Sequence, residues 1–369
     1  LTELMRGGSG VQAKIEWTAL APHLDRALVI DADELALLGR LSPRSWCNVG
    51  ELRDDDPSAA LSRLLDKGLV VSRDSDHMAS KADADLRSSH WHGLSAVAHR
   101  FSRWRGMDTG VSERHLASVD EVALQEYLGA TPQPARADGG DARRLALPEV
   151  NATPLDALLL RRVTCRNFDT SYQMPVELFA SVLYRVFGAR GSACVSGVTI
   201  LKKNAPSAGG LHPTEAFLLV QRVIGIAPGL YHYRPTEHAL QPLNELDPTA
   251  AKGLAERFVA MQHYFVPAPV MVVLVSRFAR NFWKYRQHAK SYRAVVLDAG
   301  HLSQTLYLAA TELGLAAFIT AAVNEADIEQ ALGLDPMQEG VLAVCGFGRR
   351  GGECAELELD PLAQAWPAG

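Results

Sequence analysis

The segment Phe282 to Leu315 reads FWKYRQHAKSYRAVVLDAGHLSQTLYLAATELGL. It sets Lys284, Tyr285, Arg286, His288, Lys290, Tyr292 and Arg293 directly ahead of a stretch that is nearly all apolar or small. A solvated basic turn is one reading. The other is that Lys284 and Tyr285 point into a site where a proton is moved. A lysine serves as a general base when burial or neighbouring cations, here Arg286 and Arg293, ease its proton off. Tyr285 is placed to share that proton. Adjacent residues on a strand face opposite ways, but an irregular turn lets the two share a surface.

Two further clusters carry chemistry. In RRVTCRNF, Arg162, Thr164 and Arg166 alternate along one edge just past a helix. Two guanidiniums and a hydroxyl at that spacing suit a phosphate; arginines that only complement a helix dipole are the plain alternative. In NAPSAGGLHPTE, the run Ser207, Ala208, Gly209 and Gly210 lies in a loop directly before a strand. It lets backbone N–H groups approach a flat or anionic ligand. A plain turn explains the glycines but not the length of the loop.

The elements that must position these clusters follow from the pattern. Thr153-Pro154-Leu155-Asp156 is a helix start with a Thr cap, Pro at the first position and an acid at the third. Helical spacing of Leu178, Phe179, Val182, Leu183, Val186 and Phe187 predicts a helix over Pro175 to Phe187, stopped by Gly188. EAFLLVQRV is a strand, GLYHY and HALQPL form a hairpin across RPTE, and PVMVVLVS is a fully buried strand. Asp298 to Leu313 is a long core helix ended by Gly314, apolar enough to require cover on every face. Asn324 to Leu332 is a capped helix ended by Gly333, and VLAVCGFG is the last strand. The fold class is α+β, a mainly antiparallel sheet with helices packed on it. Absence of a strand followed by GxGxxG argues against a dinucleotide-binding fold.

Ahead of this lies a smaller helical region. Asp33 to Leu41 is a short amphipathic helix. A second runs from a Ser58 cap through Leu61, Leu64 and Leu65 to Gly68, and Leu69 to Val71 reads as a strand. That outline is winged-helix-like. Its candidate recognition helix carries only Arg63 and Lys67, against Asp66 and the preceding Asp54, Asp55 and Asp56, so peptide binding or dimer packing is favoured over DNA. His90, His92 and His99 stand among Trp91 and Trp104 without a cysteine or acid at metal-site spacing; helix packing explains them, and no metal is expected. The domain reading is 1–130 for this region, 131–150 as a Pro- and Gly-rich linker, and 151–369 for the rest.

Composition bounds the rest. The chain has 369 residues, 47% hydrophobic, with net charge −5, which suits two cored domains and implies no general affinity for nucleic acid. Apolar runs are too short to span a membrane. LTELMRGGSG reads as a flexible leader or an appended remnant, without a secretory signal. Five cysteines, Cys47, Cys165, Cys194, Cys345 and Cys354, show no CxxC spacing, so a reducing cytoplasm fits.

Together the clusters resemble a known family. Region 151–354 resembles the nitroreductase superfamily and, within it, the SagB-type dehydrogenases of ribosomal peptide maturation, which oxidise azolines to thiazoles and oxazoles. RRVTCRNF is similar to the superfamily's opening Arg-x-Ser/Thr-x-Arg/Lys motif. PSAGGLHPTEAFLLVQRV followed by GLYHYRPTEHALQPL is similar to the branch's Pro-Ser-Ala-Gly loop and Gly-Leu-Tyr-His-Tyr hairpin. FWKYR and the helix after it resemble its Lys-Tyr motif and flavin helix. The small N-terminal region resembles, more weakly, the winged-helix peptide-recognition modules of such systems.

The resemblance implies FMN as cofactor. Arg162, Thr164 and Arg166 would hold its phosphate, Ser207, Ala208, Gly209 and Gly210 would line the ring, and Gln304 on the long helix would join them. Ala321 and Ala322 fall where superfamily members donate backbone N–H bonds near the flavin, in place of a frequent Glu-Gly. Arg349 and Arg350 would add charge near the phosphate, or are simply solvated. Lys284 and Tyr285 would be the catalytic pair. The resemblance also implies a homodimer, a precursor peptide as substrate, and an azoline-forming cyclodehydratase or other maturation enzymes as partners, with no nucleic acid and no membrane. Reduction of dehydroamino acids or of small nitro or quinone compounds, and a non-catalytic peptide-binding scaffold, are the alternatives.

Overall fold

The structure, a computed structural model, describes residues 16–43, 45–52, 57–73, 77–111, 129, 131–135 and 145–366. The acidic run Asp54 to Asp56, the side chain of Ser58, the leader segment and much of the expected linker lie outside the described residues. The chain divides into two compact units: Leu1–Arg103 with Phe278–Tyr292, and Trp104–Arg277 with Arg293–Gly369.

In the smaller unit, β1 (Trp17–Ala19) and β2 (Leu28–Ile30) pair antiparallel. Asp31 then caps α1 (Ala32–Arg40) in a capping box with Glu34, as a short acid before an apolar stripe dictates. Leu37 of α1 packs with Ala60 and Leu64 of α2 (Pro57–Asp66). Leu69 to Val71, expected as a strand, is not one. Gly68 turns left-handed at φ +71°, and the N–H groups of Leu69 and Val70 fold back onto the Leu64 carbonyl at 3.0 and 3.2 Å. The helix-terminating motif takes the donors a strand would need. Arg63 of α2 and Lys67 just past it are both engaged: Lys67 pairs with the buried Glu34 at 2.7 Å, and Arg63 reaches Glu34 at 3.2 Å and Asp31 at 3.0 Å. α3 (Met78–Ser88) and α4 (Gly93–Ser102) follow. His92 stands at the N-cap of α4, and buried His99 stacks on Trp91 and hydrogen-bonds the Tyr292 hydroxyl at 3.1 Å, the packing role expected of it.

The larger unit opens with α5 (Pro154–Arg161), where the Thr153–Asp156 capping box forms as its sequence requires. α6 (Val176–Val186) buries Phe179, Val182, Leu183 and Val186 at helical spacing. A Cβ at Gly188 would come within 2.6 Å of the Tyr184 carbonyl oxygen, so the glycine lets the chain leave the helix. Next come the β3 (Gly191–Val195) and β4 (Val198–Lys202) hairpin, β5 (Thr214–Val220), β6 (Gly229–Arg234), β7 (Ala239–Glu245), α7 (Pro248–Phe258) and β8 (Val270–Arg277). After α8 (Phe278–Phe282), which counts with the smaller unit, come α9 (Ser291–Glu312), β9 (Ala316–Thr320), α10 (Glu325–Leu332) and β10 (Glu339–Gly348). Six strands form one antiparallel sheet in the order β7-β6-β5-β8-β10-β9.

Strand β8 explains the layering. Val270, Val272 and Leu274 enter one apolar cluster with Val182, Leu183, Leu302 and Leu306 of α6 and α9. Met271, Val273 and Val275 enter another with Leu254 and Phe258 of α7 and Ile328 of α10. Side chains alternate along a strand, so an unbroken apolar run means that both faces are covered. The expected α+β architecture is therefore present.

Two expectations change in detail. Helix α9 begins at Ser291, seven residues before Asp298, so Tyr292 and Arg293 lie on the helix and not in the turn. Within the single chain one face of this helix is open: Val296 and Leu297 are 48% and 64% exposed, and Gly300, His301 and Gln304 are exposed with them. Asn324 precedes α10 without capping it by its side chain; that side chain accepts from the Met107 N–H at 2.7 Å and donates to the Arg257 carbonyl at 2.9 Å. No helix among the described residues is long and apolar enough to cross a membrane.

Candidate functional site

The Ser207–Gly210 loop is fastened to α9. Ser207 Oγ donates to Asp298 Oδ2 at 2.5 Å, the Ala208 N–H donates to Asp298 Oδ1 at 3.1 Å, and Ser207 Oγ accepts from the His212 N–H at 2.9 Å. Burial pushes the Asp298 carboxyl up, and the two donors partly offset this. Gly209 and Gly210 follow at φ +63° and +68°, a conformation open to glycine at little cost. Their backbone is presented without side chains, as a flat ligand at close range requires. A narrow, partly open cleft with room for about one water-sized group adjoins the loop, lined by Ser207, His212 and Asp298 together with Lys203, Thr214 and Leu302.

The RRVTCRNF edge alternates as read. Val163, Cys165 and Asn167 are buried while Arg162, Thr164 and Arg166 are half-buried. Thr164 bridges β9 at Ala317, and the Cys165 N–H donates to the Ala317 carbonyl at 2.9 Å; pinning one side of the segment to the sheet edge leaves the other side free. Thr164 Oγ1 lies 2.9 Å from the Tyr307 hydroxyl, and the Arg162 guanidinium lies 5.3 Å from the Tyr307 ring centre. Tyr307 is on α9, nine positions after Asp298, about 13–14 Å along the axis at 1.5 Å per residue. One helix thus holds both clusters.

The other expected cofactor residues divide. Arg166 donates to the Leu357 carbonyl at 2.9 Å and stacks over Tyr264. Arg349 makes a two-bond pair with Asp169, at 3.0 and 2.6 Å; the Ser171 hydroxyl first, and Arg349 with it, hold that carboxyl down to about 2. Arg350 pairs with Glu358 at 2.9 Å. Glu358 also accepts from the backbone N–H of Arg166 at 2.7 Å and from Trp366 Nε1 at 2.9 Å. Gln304 and Ala321 are exposed, and the Ala322 N–H donates to Thr320 Oγ1 at 3.1 Å.

Lys284 and Tyr285 lie in the turn after α8, within the smaller unit. Lys284 is exposed, Tyr285 half-buried, and Lys284 Nζ stands 5.6 Å from the Tyr285 ring centre. The irregular turn therefore does bring the two side chains to a common surface.

Sequence reasoning missed Asp298 and Tyr307 as anchors, and it missed Lys203. Lys203 is 4% exposed. Burial pushes its ammonium down to about 8, with Glu215 opposing that shift and Arg277 adding to it. Glu215 is bracketed by His232 at 2.7 Å and Arg277 at 2.7 Å. Although burial pushes its carboxyl up, the hydrogen bond from His232 and the charge of Arg277 hold it below the usual range.

These residues fit a flat cofactor with one phosphate. Arg162 makes no ion pair among the described residues, so its fork of donors is available to an anion, and the glycine turn leaves room for a ring. No group of histidine, cysteine and acidic side chains among the described residues is arranged to hold a metal.

The nitroreductase family model matches residues 159–349. A Methanocaldococcus jannaschii protein named as a nitroreductase is 28% identical over 212 residues, 57% of this chain and 98% of the relative. The trifolitoxin-processing protein TfxB of Rhizobium leguminosarum bv. trifolii is 34% identical over 145 residues, 39% of this chain and 38% of the relative. The microcin B17-processing protein McbC of Escherichia coli is 25% identical over 191 residues, 49% of this chain and 65% of the relative. The matches thus span well under the whole of these two processing proteins. In fold, a chain of the Escherichia coli microcin synthetase complex with a truncated precursor bound superposes with TM-score 0.53 at 18% identity, covering 72% of this chain and 97% of that one. This chain belongs to the nitroreductase family, and the peptide-processing resemblance of its motifs extends to relatives that carry that name.

Proposed function

We propose that this chain is an FMN-dependent dehydrogenase of ribosomal peptide maturation, oxidising azolines to thiazoles and oxazoles in a precursor peptide. One observation carries the reading: α9 holds the glycine loop through Asp298 and the Arg162–Thr164 edge through Tyr307. The two clusters read as a ring site and a phosphate site thereby share one rigid element, which supports the reading. The two peptide-processing relatives support a peptide as the substrate class.

FMN, when bound, supplies the two-electron acceptor. Arg162 and Thr164, with Arg166, hold its phosphate; Arg349 and Arg350 keep their carboxylate partners. Ser207 to Gly210 line the ring, and Ala321, Ala322 and Gln304 complete the surround. Lys284 takes the proton that leaves carbon, and Tyr285 shares it. The exposed face of α9 is covered in a homodimer. Region 1–130 engages the peptide: Arg63 and Lys67, neutralised by Glu34 and Asp31, are poorly disposed to bind phosphates. A cyclodehydratase supplies the azolines, and the free cysteines suit a reducing cytoplasm.

The near full-length match to a relative named as a nitroreductase favours reduction of small nitro or quinone compounds as the second reading. Mass spectrometry of an azoline-bearing precursor, incubated with the protein, separates them. Loss of two hydrogens per ring is the expected result. An unchanged peptide together with nicotinamide-dependent reduction of a nitro compound would reject the first reading.

A further inference from the structure

We propose that Lys203 and Thr214 form a two-donor pocket for a planar anionic oxygen group, a carboxylate or the enolate-like edge of a conjugated ring. Lys203 follows β4 and Thr214 opens β5; both line the cleft beside Ser207. They are 4% and 2% exposed. Thr214 Oγ1 is buried without a hydrogen-bond partner. Lys203 Nζ makes no hydrogen bond or ion pair among the described residues. A buried ammonium and a buried hydroxyl without partners each cost free energy. A ligand that brings acceptor oxygens relieves both.

The cleft's own acid does not serve. Asp298 already accepts from Ser207 and Ala208. Glu215 influences Lys203 electrostatically, but its oxygens are held by His232 and Arg277. One cation and one hydroxyl match two coplanar oxygens with a single charge. A phosphate, with three oxygens and nearly two charges, is left short of donors. Leu302 and Pro206 line the same cleft, whose open side leaves the carbon skeleton of such a ligand outside while an oxygen enters.

Two sources share this chemistry: the oxygen-bearing edge of the ring that the Ser207–Gly210 loop takes, and a carboxylate on the substrate. Only the first rests on the proposed cofactor. The test titrates the full-length, flavin-free protein calorimetrically with benzoate and acetate, and separately with FMN. The wild type is compared with Lys203→Met, which keeps the stem's volume, and Thr214→Val, which keeps the branch; circular dichroism establishes that each is folded. One or both of the carboxylates and FMN should bind the wild type about tenfold or more tightly than Lys203→Met, as loss of a charged hydrogen bond predicts, with a smaller loss in Thr214→Val. Carboxylate binding should fade as pH rises through about 8, where Lys203 loses its charge; the other titratable groups around it are His212, Asp298, His301, Glu215 and His232, with Arg277 fixed in charge. Benzoate that competes with FMN assigns the pocket to the ring edge; benzoate that binds beside FMN assigns it to the substrate. Equal affinities of wild type and Lys203→Met for every probe would overturn the pocket. Failure to bind FMN would instead count against the proposed function, and the carboxylate titrations would still decide the pocket.

Discussion

Ser207 and Asp298, 91 positions apart, are joined by a hydroxyl-to-carboxylate hydrogen bond of 2.5 Å that fixes the glycine loop to α9. The neighbouring Ala208 N–H binds the other carboxylate oxygen, so one buried side chain sets the position of the whole loop. Asp298→Asn offers an acceptor to only one of these donors. The expected cost is about 1–3 kcal/mol of stability, together with weaker flavin retention. Urea unfolding and absorbance after gel filtration measure the two effects; unchanged values in both would remove Asp298 from its anchoring role.

Arg162 and Arg350 should separate binding from folding. Arg162→Ala removes a guanidinium without an ion-pair partner among the described residues, so it should weaken FMN binding and leave thermal stability nearly unchanged. Arg350→Ala leaves Glu358, whose side chain is fully buried, without its cation. Breaking a buried pair costs about 3 kcal/mol or more, so that variant should melt lower. The reverse pattern would place the phosphate at Arg350.

Some of this was legible in the sequence and some was not, for physical reasons. The alternation from Arg162 to Asn167 is a local pattern of period two, and the hairpin of β6 and β7 is two strand-like runs flanking the RPTE turn; both appear as read. Leu69 to Val71 looked like a strand because apolar runs are ambiguous, and the turn at Gly68 took its donors. The β3–β4 hairpin went unseen because Gly191 to Val195 is exposed along its whole length and so shows no alternation. Asp298 and Tyr307 read as ordinary helix residues. Their partners lie 91 and 143 positions away, and no local spacing reports such a contact. Charged residues near Ser291 disguised the first turns of α9, whose exposed face is where they lie.

Lys203 should make stability depend on pH in an unusual direction. Its folded value, about 8, lies below the ordinary lysine value of 10.5. Below pH 8 both states carry the proton and the burial penalty is felt in full. Between about 8 and 10.5 the unfolded chain binds more protons than the folded one, so this group's contribution to stability rises with pH. Lys203→Met removes the penalty, which is on the order of 3 kcal/mol at most. The variant should therefore melt higher than the wild type at pH 7, with the gap closing towards pH 10. A lower melting temperature for Lys203→Met at pH 7 would show that the ammonium stabilises the fold.

The turn that holds Lys284 and Tyr285 gives the sharpest test of the proposed chemistry. Neither residue belongs to the Ser207–Gly210 loop or to the Arg162–Thr164 edge, so Lys284→Ala and Tyr285→Phe should keep bound flavin. Lys284 is exposed, so its replacement should also leave stability within about 0.5 kcal/mol of the wild type. Turnover of an azoline peptide should nevertheless fall by about two to four orders of magnitude if the pair moves the proton. Lys284→Arg decides between a chemical role and a merely cationic one. Guanidinium keeps the charge but holds its proton at all accessible pH values, so a base is lost while a surface cation is preserved. Single-turnover rates for the three variants, each shown by absorbance to carry flavin, make the comparison. Lys284→Arg should be nearly as slow as Lys284→Ala; full activity in Lys284→Arg would reduce the segment to a solvated basic turn.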